Sequence, residues 1–230
     1  MYDLSLVVAV LAQSWQAKLQ GFIILGCIAV VVVVVNVVKL LRLCIPPVMD
    51  DSFCNWYNGK MVAVRRKLLS NLKDFQAKTA RELTVLEVGV GGCGDFIYLP
   101  KGTRVIGVLE NGEDLKKVSN NSVDTVVSTL VMCKVRDPTD YVREVKRVLK
   151  PGGMFCYMEN VQSRERKTRI VQNLLSPLSI FFVSYRLTRQ TWRYVDVGGF
   201  DLLEYSIIRA PLKRCLSIFS PHLVGYAVKR

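Results

Sequence analysis

Apolar and polar positions follow three different rhythms along this chain. Residues 21–38, GFIILGCIAVVVVVVNVV, are apolar throughout except for Asn36 near one end. At about 1.5 Å per residue such a run extends about 27 Å, close to the hydrocarbon thickness of a bilayer. It lacks the polar face that the core helix of a soluble domain would show. Further on, Val62, Leu68, Leu69, Leu72 and Phe75 recur at helical spacing and predict an amphipathic helix over 61–77. Its other side carries Arg65, Arg66, Lys67 and Lys73, facing lipid phosphates or simply water. A third rhythm follows, of short β-type runs separated by turns or helices. Residues 83–88, 104–109, 123–130 and 154–158 read as strands. Residues 141–149 read as a helix with Val142, Val145, Val148 and Leu149 inward. Residues 205–208 and 223–228 read as a closing antiparallel pair. This order predicts an α/β fold: a doubly wound, mostly parallel sheet preceded by an N-terminal transmembrane helix.

The boundaries follow from the same pattern. Residues 1–45 form the membrane anchor, and 5–12 (SLVVAVLA) add a shallow interfacial contact. Pro46 and Pro47 end it. Residues 46–80 are linker and entry helix, and 81–230 the α/β domain. A cleaved signal peptide fits poorly, because its apolar core would be shorter and follow a basic start. Lys39 and Arg42, with Lys60, Arg65, Arg66 and Lys67 beyond, make the downstream flank the more basic, which places the domain on the cytosolic side. The formal net charge of +13, nearly all of it after residue 50, favours anionic partners without choosing among lipid, nucleic acid and small anions. Seven cysteines with no CxxC pair suggest reduced thiols, not a zinc site or a disulfide framework.

The candidate chemistry lies in LTVLEVGVGGCGDF, residues 83–96. An apolar run ends in Glu87 and breaks into Gly89, Gly91, Gly92 and Gly94. Placed after a strand and before a helix, such glycines let the backbone turn sharply and approach a nucleotide-like ligand closely. No GxxxxGK[ST] phosphate loop is present, which argues against nucleotide hydrolysis.

LEVGVGGCG, NSVDTVVSTLVMCKV and REVKRVLKPGGMFCYMENV together resemble class I methyltransferases that use S-adenosylmethionine. With the anchor and the ending APLKRCLSIFSPHLVGYAVKR, the chain resembles more closely the membrane-anchored methyltransferase-like proteins that act as alkyl-thiol S-methyltransferases. The resemblance implies a small hydrophobic thiol as acceptor and a location at the endoplasmic reticulum and lipid-droplet surface. It assigns Gly89, Gly91 and Gly94 to the methionine part of the cofactor, Glu87 to its amino group, Glu110 to the ribose, and Glu113 with Asp114 to the adenine. Thr129, in the stretch from Thr129 to Cys133, would line the methyl-transfer pocket. No catalytic residue is assigned. Cys93, Cys133 and Cys156 read as core or loop thiols. The loop after the fourth family strand, STLVMCK, lacks the Asn/Asp-Pro-Pro-aromatic pattern of enzymes that methylate bases, so nucleic acid is not the expected substrate.

The chain departs from that family in three places. Glu110 and Glu113 are near neighbours, whereas a helix and a strand should separate the ribose acid from the adenine turn. One strand–helix unit is therefore absent, and RVIGVL serves as either the second or the third strand. Cys93 stands where such loops often carry another glycine, and Asn160 stands where the anchored relatives tend to carry histidine. The only histidine is His222. A second reading follows, an inactive membrane-anchored interaction protein derived from such an enzyme. A surface turn with no support at 109–118 would favour it.

Overall fold

The computed structural model describes residues 4–44, 51–79, 81–89, 96–108, 113–183, 185–212 and 214–230. The chain divides into two compact units, Met1–Pro47 and Val48–Arg230. The first is one helix, α1 (Leu4–Cys44), so residues 5–12 continue the anchor helix instead of forming a separate contact. Its apolar stretch Lys18–Val38 has a mean hydropathy of 3.0 and none of it is buried.

The second unit begins with α2 (Asp51–Thr79), which starts ten residues before the periodic stretch that announced it. The strands follow: β1 (Thr84–Val88), β2 (Arg104–Val108), β3 (Val123–Thr129), β4 (Leu149–Asn160), β5 (Leu202–Arg209) and β6 (Pro221–Val228). Helices α3 (Pro138–Val148), α4 (Arg166–Val183) and α5 (Thr191–Asp196) lie among them, with short 3-10 turns at Phe96–Tyr98, Glu113–Lys117 and Arg214–Phe219. One six-stranded sheet runs in the order β2-β1-β3-β4-β6-β5. The first four strands are parallel; β6 pairs antiparallel with both β4 and β5, as the closing pair requires.

Alternation along the strands sends side chains into two cores. Leu86, Val126, Phe155 and Tyr157 meet Val142, Val145 and Val148 of α3 on one face. Val85, Val127, Cys156 and Met158 meet Met61, Leu69 and Leu72 of α2 on the other. Strand β3 is buried on both faces, its polar Asp124, Thr125 and Ser128 included. Helix α3 starts where Asp137 caps it, accepting from the backbone N–H of Thr139 (2.8 Å) and Asp140 (3.2 Å), with Pro138 in its first turn.

Several expectations change. RVIGVL takes the second-strand place beside β1; among the described residues no strand lies outside it, and Val105 is 37% exposed on that edge. After the glycine loop the described residues show only the single turn Phe96–Tyr98, because Pro100 and Gly102 stop the chain before a helix can propagate. Arg65, expected on the lipid- or water-facing side of α2, is fully buried, its guanidinium 5.9 Å from the centroid of the Tyr57 ring. Asp124 is no mere turn former. It accepts from Thr84 N–H (2.9 Å), Lys150 Nζ (3.0 Å) and Arg81, fastening β1 and β4 to the start of β3.

Candidate active site

The chain leaves β1 toward β2 on one side and returns with β3 on the other, so the strand order reverses between β1 and β3. The carboxyl ends of strands at such a reversal form the crevice where doubly wound sheets bind ligands. Glu87 is buried on β1, flanked in register by Gly107 of β2 and Val127 of β3. Gly89 follows immediately at φ +88°, a conformation open to glycine and costly for other residues, and its N–H donates to Val108 O at 2.9 Å. Thr129 closes β3 opposite Met158. Gly91, Gly94 and Glu110 lie outside the described residues.

The acidic turn is docked. Glu113 and Asp114 open the turn Glu113–Lys117, with Lys117 Nζ donating to Asp114 Oδ1 at 2.6 Å. Leu115 is fully buried, and Arg147 of α3 donates to the carbonyls of Leu115 (2.8 Å) and Val118 (2.9 Å). These bonds hold the turn against α3.

Sequence reasoning passed over the group that organises the opposite wall. Glu159, near the end of β4, is fully buried. It accepts from Ser128 Oγ (3.1 Å), Val131 N–H (2.9 Å) and Cys133 N–H (3.2 Å), while Tyr141 Oη donates to Ser128 Oγ (2.9 Å). Burial pushes its pKa up to about 7, against the lowering effect of the backbone N–H groups of Met132, Val131 and Cys133 and the Ser128 hydroxyl. The loop it holds begins with Leu130 at φ +58°, a strained conformation for a branched side chain, fixed by donation of its N–H to Met158 O at 2.9 Å. Arg189 clamps the far side of the loop, donating to Met132 O and to Val135 O (2.7 Å), and Arg186 N–H donates to Cys133 O at 3.0 Å. One signal for Glu159 stood in the sequence: MFCYMEN ends an apolar run in an acid, as LTVLEV does at Glu87. Nothing comparable announced Arg189.

The loop presents Leu130, Val131, Met132 and Cys133, all buried. Burial raises the Cys133 thiol well above its ordinary pKa, reinforced by Glu159, so this sulfur is an inert packing group. His222 lies across from Asn160 in the β4–β6 register, so the lone histidine occupies the neighbourhood from which position 160 lacks one. Its Nδ1 donates to Ser220 O (2.9 Å) and its Nε2 accepts from Tyr57 Oη (2.7 Å). Burial pushes its pKa down to about 4, opposed by the Ser220 carbonyl and aided by Arg65, so the ring is neutral near pH 7.

A methyltransferase-domain family model matches residues 100–157. The human thiol S-methyltransferase TMT1A is 34% identical over 201 aligned positions, covering 75% of this chain and 81% of the relative. The rat thiol S-methyltransferase TMT1B is 31% identical over 198 positions, covering 74% and 80%. Both alignments span more positions than the share of 230 residues they draw on, so each relative has aligned positions without a counterpart here. Among solved structures, the CurJ carbon methyltransferase superposes with a TM-score of 0.54 at 16% identity, covering 82% of this chain and 60% of that one, a likeness of fold.

Proposed function

Because the chain belongs to the thiol S-methyltransferase family, within the S-adenosylmethionine-dependent methyltransferases, we propose that it methylates the sulfur of small hydrophobic alkyl thiols at a membrane surface. S-adenosylmethionine is the methyl donor and supplies a methyl group on a sulfonium sulfur, open to in-line attack. The residues present suit that group: Gly89 holds a glycine-only conformation where β1 opens, and Glu87 brings a buried acid to the same strand end. In this reading Gly89, Gly91 and Gly94 take the methionine part, Glu87 its amino group, Glu110 the ribose, and Glu113 with Asp114 the adenine. Thr129 opens the transfer pocket.

The observation that carries the acceptor assignment is the Glu159-held loop. It packs Leu130, Val131 and Met132 into the cores at the carboxyl end of the sheet, fixed in place before any ligand arrives. An apolar, water-free surrounding at this strand end suits an alkyl thiol, whose alignment is the protein's main task in this chemistry. A thiol of pKa about 8.5 is already a few per cent thiolate at neutral pH, so a strong base is not required. The exposed span of α1 supports the membrane setting, where hydrophobic thiols concentrate.

The uncovered edge of β2 favours the rival reading of an inactive anchored relative, since the missing unit would have walled the adenosine side. Calorimetric titration of the full chain in detergent with S-adenosylhomocysteine separates them. Binding, followed by transfer of labelled methyl to a short alkanethiol, supports the enzyme. No heat up to millimolar ligand leaves the anchored remnant.

A further inference from the structure

Helix α4 is built inside out for a soluble surface helix. Among the described residues its buried side chains are polar: Gln172 is 1% exposed, and Ser176 and Ser179 are also buried. Each is satisfied by the protein. Gln172 accepts from Ser163 N–H (2.7 Å) and donates to Val161 O (3.2 Å) and Ile218 O (2.9 Å). Ser179 donates to Ser176 O (2.9 Å) and Tyr185 O (2.8 Å), and Ser176 meets Thr188 at 3.4 Å. The side chains it turns outward are apolar: Ile170 is 50% exposed and Leu174 71%, with Val171 and Ile180 beside them. An ordinary amphipathic helix shows the reverse.

Charge brackets this stripe. Arg166, Lys167 and Arg169 are exposed in the opening turns of α4, which have no acid in the first turn. Glu165 just before the helix is engaged by Arg209 (2.6 Å) and Thr168 (3.0 Å), and the three cations oppose the helix dipole, which an outside anion relieves. At the other end an open cavity of about 580 Å³ is lined by Ile180, Arg186, Arg189 and Arg193, with no carboxylate among the described lining residues. Arg189 is occupied with the loop carbonyls. Arg186 and Arg193 line the same concavity, where like charges repel unless an anion joins them.

We infer that the outer face of α4 is a second membrane contact, lying in the interface with its apolar stripe among acyl chains and its flanking basic groups on the phosphates of anionic lipids. Apolar residues on one face with Lys and Arg around them are the pattern of an in-plane interfacial helix. The chain supplies the bilayer. Its α1 carries an apolar span of 21 residues, long enough to cross one. The inference rests on the membrane-surface reading above. Its consequence is functional: α4 is joined through Arg186 and Arg189 to the loop after β3, so lipid contact adjoins the Glu159-held loop.

The test uses the full chain reconstituted into vesicles of phosphatidylcholine and phosphatidylserine, with the phosphatidylcholine brominated on its acyl chains. Leu174→Trp places a reporter on the stripe, and Lys116→Trp places one on an exposed turn elsewhere. The emission added at 174 is expected to be blue-shifted and to lose about half its intensity to the bromines, with that at 116 unaffected. Arg186→Glu with Arg193→Glu is expected to restore much of that emission in phosphatidylserine vesicles. Unquenched emission at 174 from protein that floats with the vesicles overturns the inference while leaving the anchor intact. Shielding at 174 that ignores bromine and varies with protein-to-lipid ratio overturns it in favour of a second copy. Failure to float removes the anchor reading and this inference together.

Discussion

Two buried carboxylates at opposite ends of one sheet have opposite fates. Asp124, at the amino end of β3, is raised by burial, yet the Thr84 N–H, Arg81 and Lys150 outweigh that and hold it below the usual range. Glu159, at the carboxyl end of β4, meets hydroxyl and backbone N–H donors alone, and burial pushes it up to about 7. At Asp124 a backbone N–H and two cations together outweigh burial; at Glu159 burial outweighs the neutral donors. The amino end thus fastens three strands together, while the carboxyl end spends stability to hold the Leu130 loop in a strained shape beside the ligand crevice. Strain and perturbed acids gather at working ends of proteins.

The comparison is broken most severely by Glu159→Leu. The Ser128 hydroxyl and two backbone N–H groups lose their acceptor in a dry interior, at a cost of about 3–5 kcal/mol. Thermal unfolding of the full chain in detergent would register it, together with loss of S-adenosylhomocysteine binding. Unchanged stability would mean that the loop stands without Glu159.

Titration separates the groups further. The Glu159 pKa is higher folded than unfolded, so its contribution is favourable below about pH 4.5 and fades as pH rises toward 7. His222 is lower folded than unfolded, so its contribution is full above about pH 6.5 and fades as pH falls toward 4. Each is worth at most about 3 kcal/mol, and between about pH 4.5 and 6.5 they oppose one another. Stability of the parent chain should change little across that window. Glu159→Gln should unmask the histidine and make stability fall as pH falls; a flat profile in that variant would contradict the His222 assignment.

Asp124→Asn should cost about 2 kcal/mol by removing the charge from Arg81 and Lys150, discounted because both cations are partly in water. Its distinguishing outcome is that S-adenosylhomocysteine affinity survives, because the amino end does not touch the crevice. Gly89→Ala should cost about 1–2 kcal/mol through its positive φ, yet weaken ligand binding severely. Val105→Lys on the β2 edge should shift stability by no more than about 0.5 kcal/mol, since that side chain already reaches solvent. A larger loss would reveal that the edge is covered.

Much of this architecture was legible because its causes are local. The apolar span, the four parallel runs and the closing β5–β6 pair follow from short-range periodicity, and the positive φ of Gly89 from its residue type. Where a helix was expected after the glycine loop, the described residues show a single turn before Pro100. Helices α4 and α5 carried no ordinary signature: α4 is stabilised by buried glutamine and serine, which pattern reading takes for surface. Arg65 misled for the same reason, since a basic residue on an amphipathic helix suggests water and only the packing against Tyr57 says otherwise.

By itself, the sequence determined the succession of strands along the chain and the long apolar helix before them, because each is written in spacing and composition over a few residues. Tertiary structure alone decided that RVIGVL is the edge strand, that Glu159, Ser128 and Tyr141 converge on one loop, that Arg189 reaches it from the segment between α4 and α5, and that His222 faces Asn160. Those pairings join groups that lie far apart in the chain. Their energies come from burial and desolvation, which exist only once the chain has closed around them.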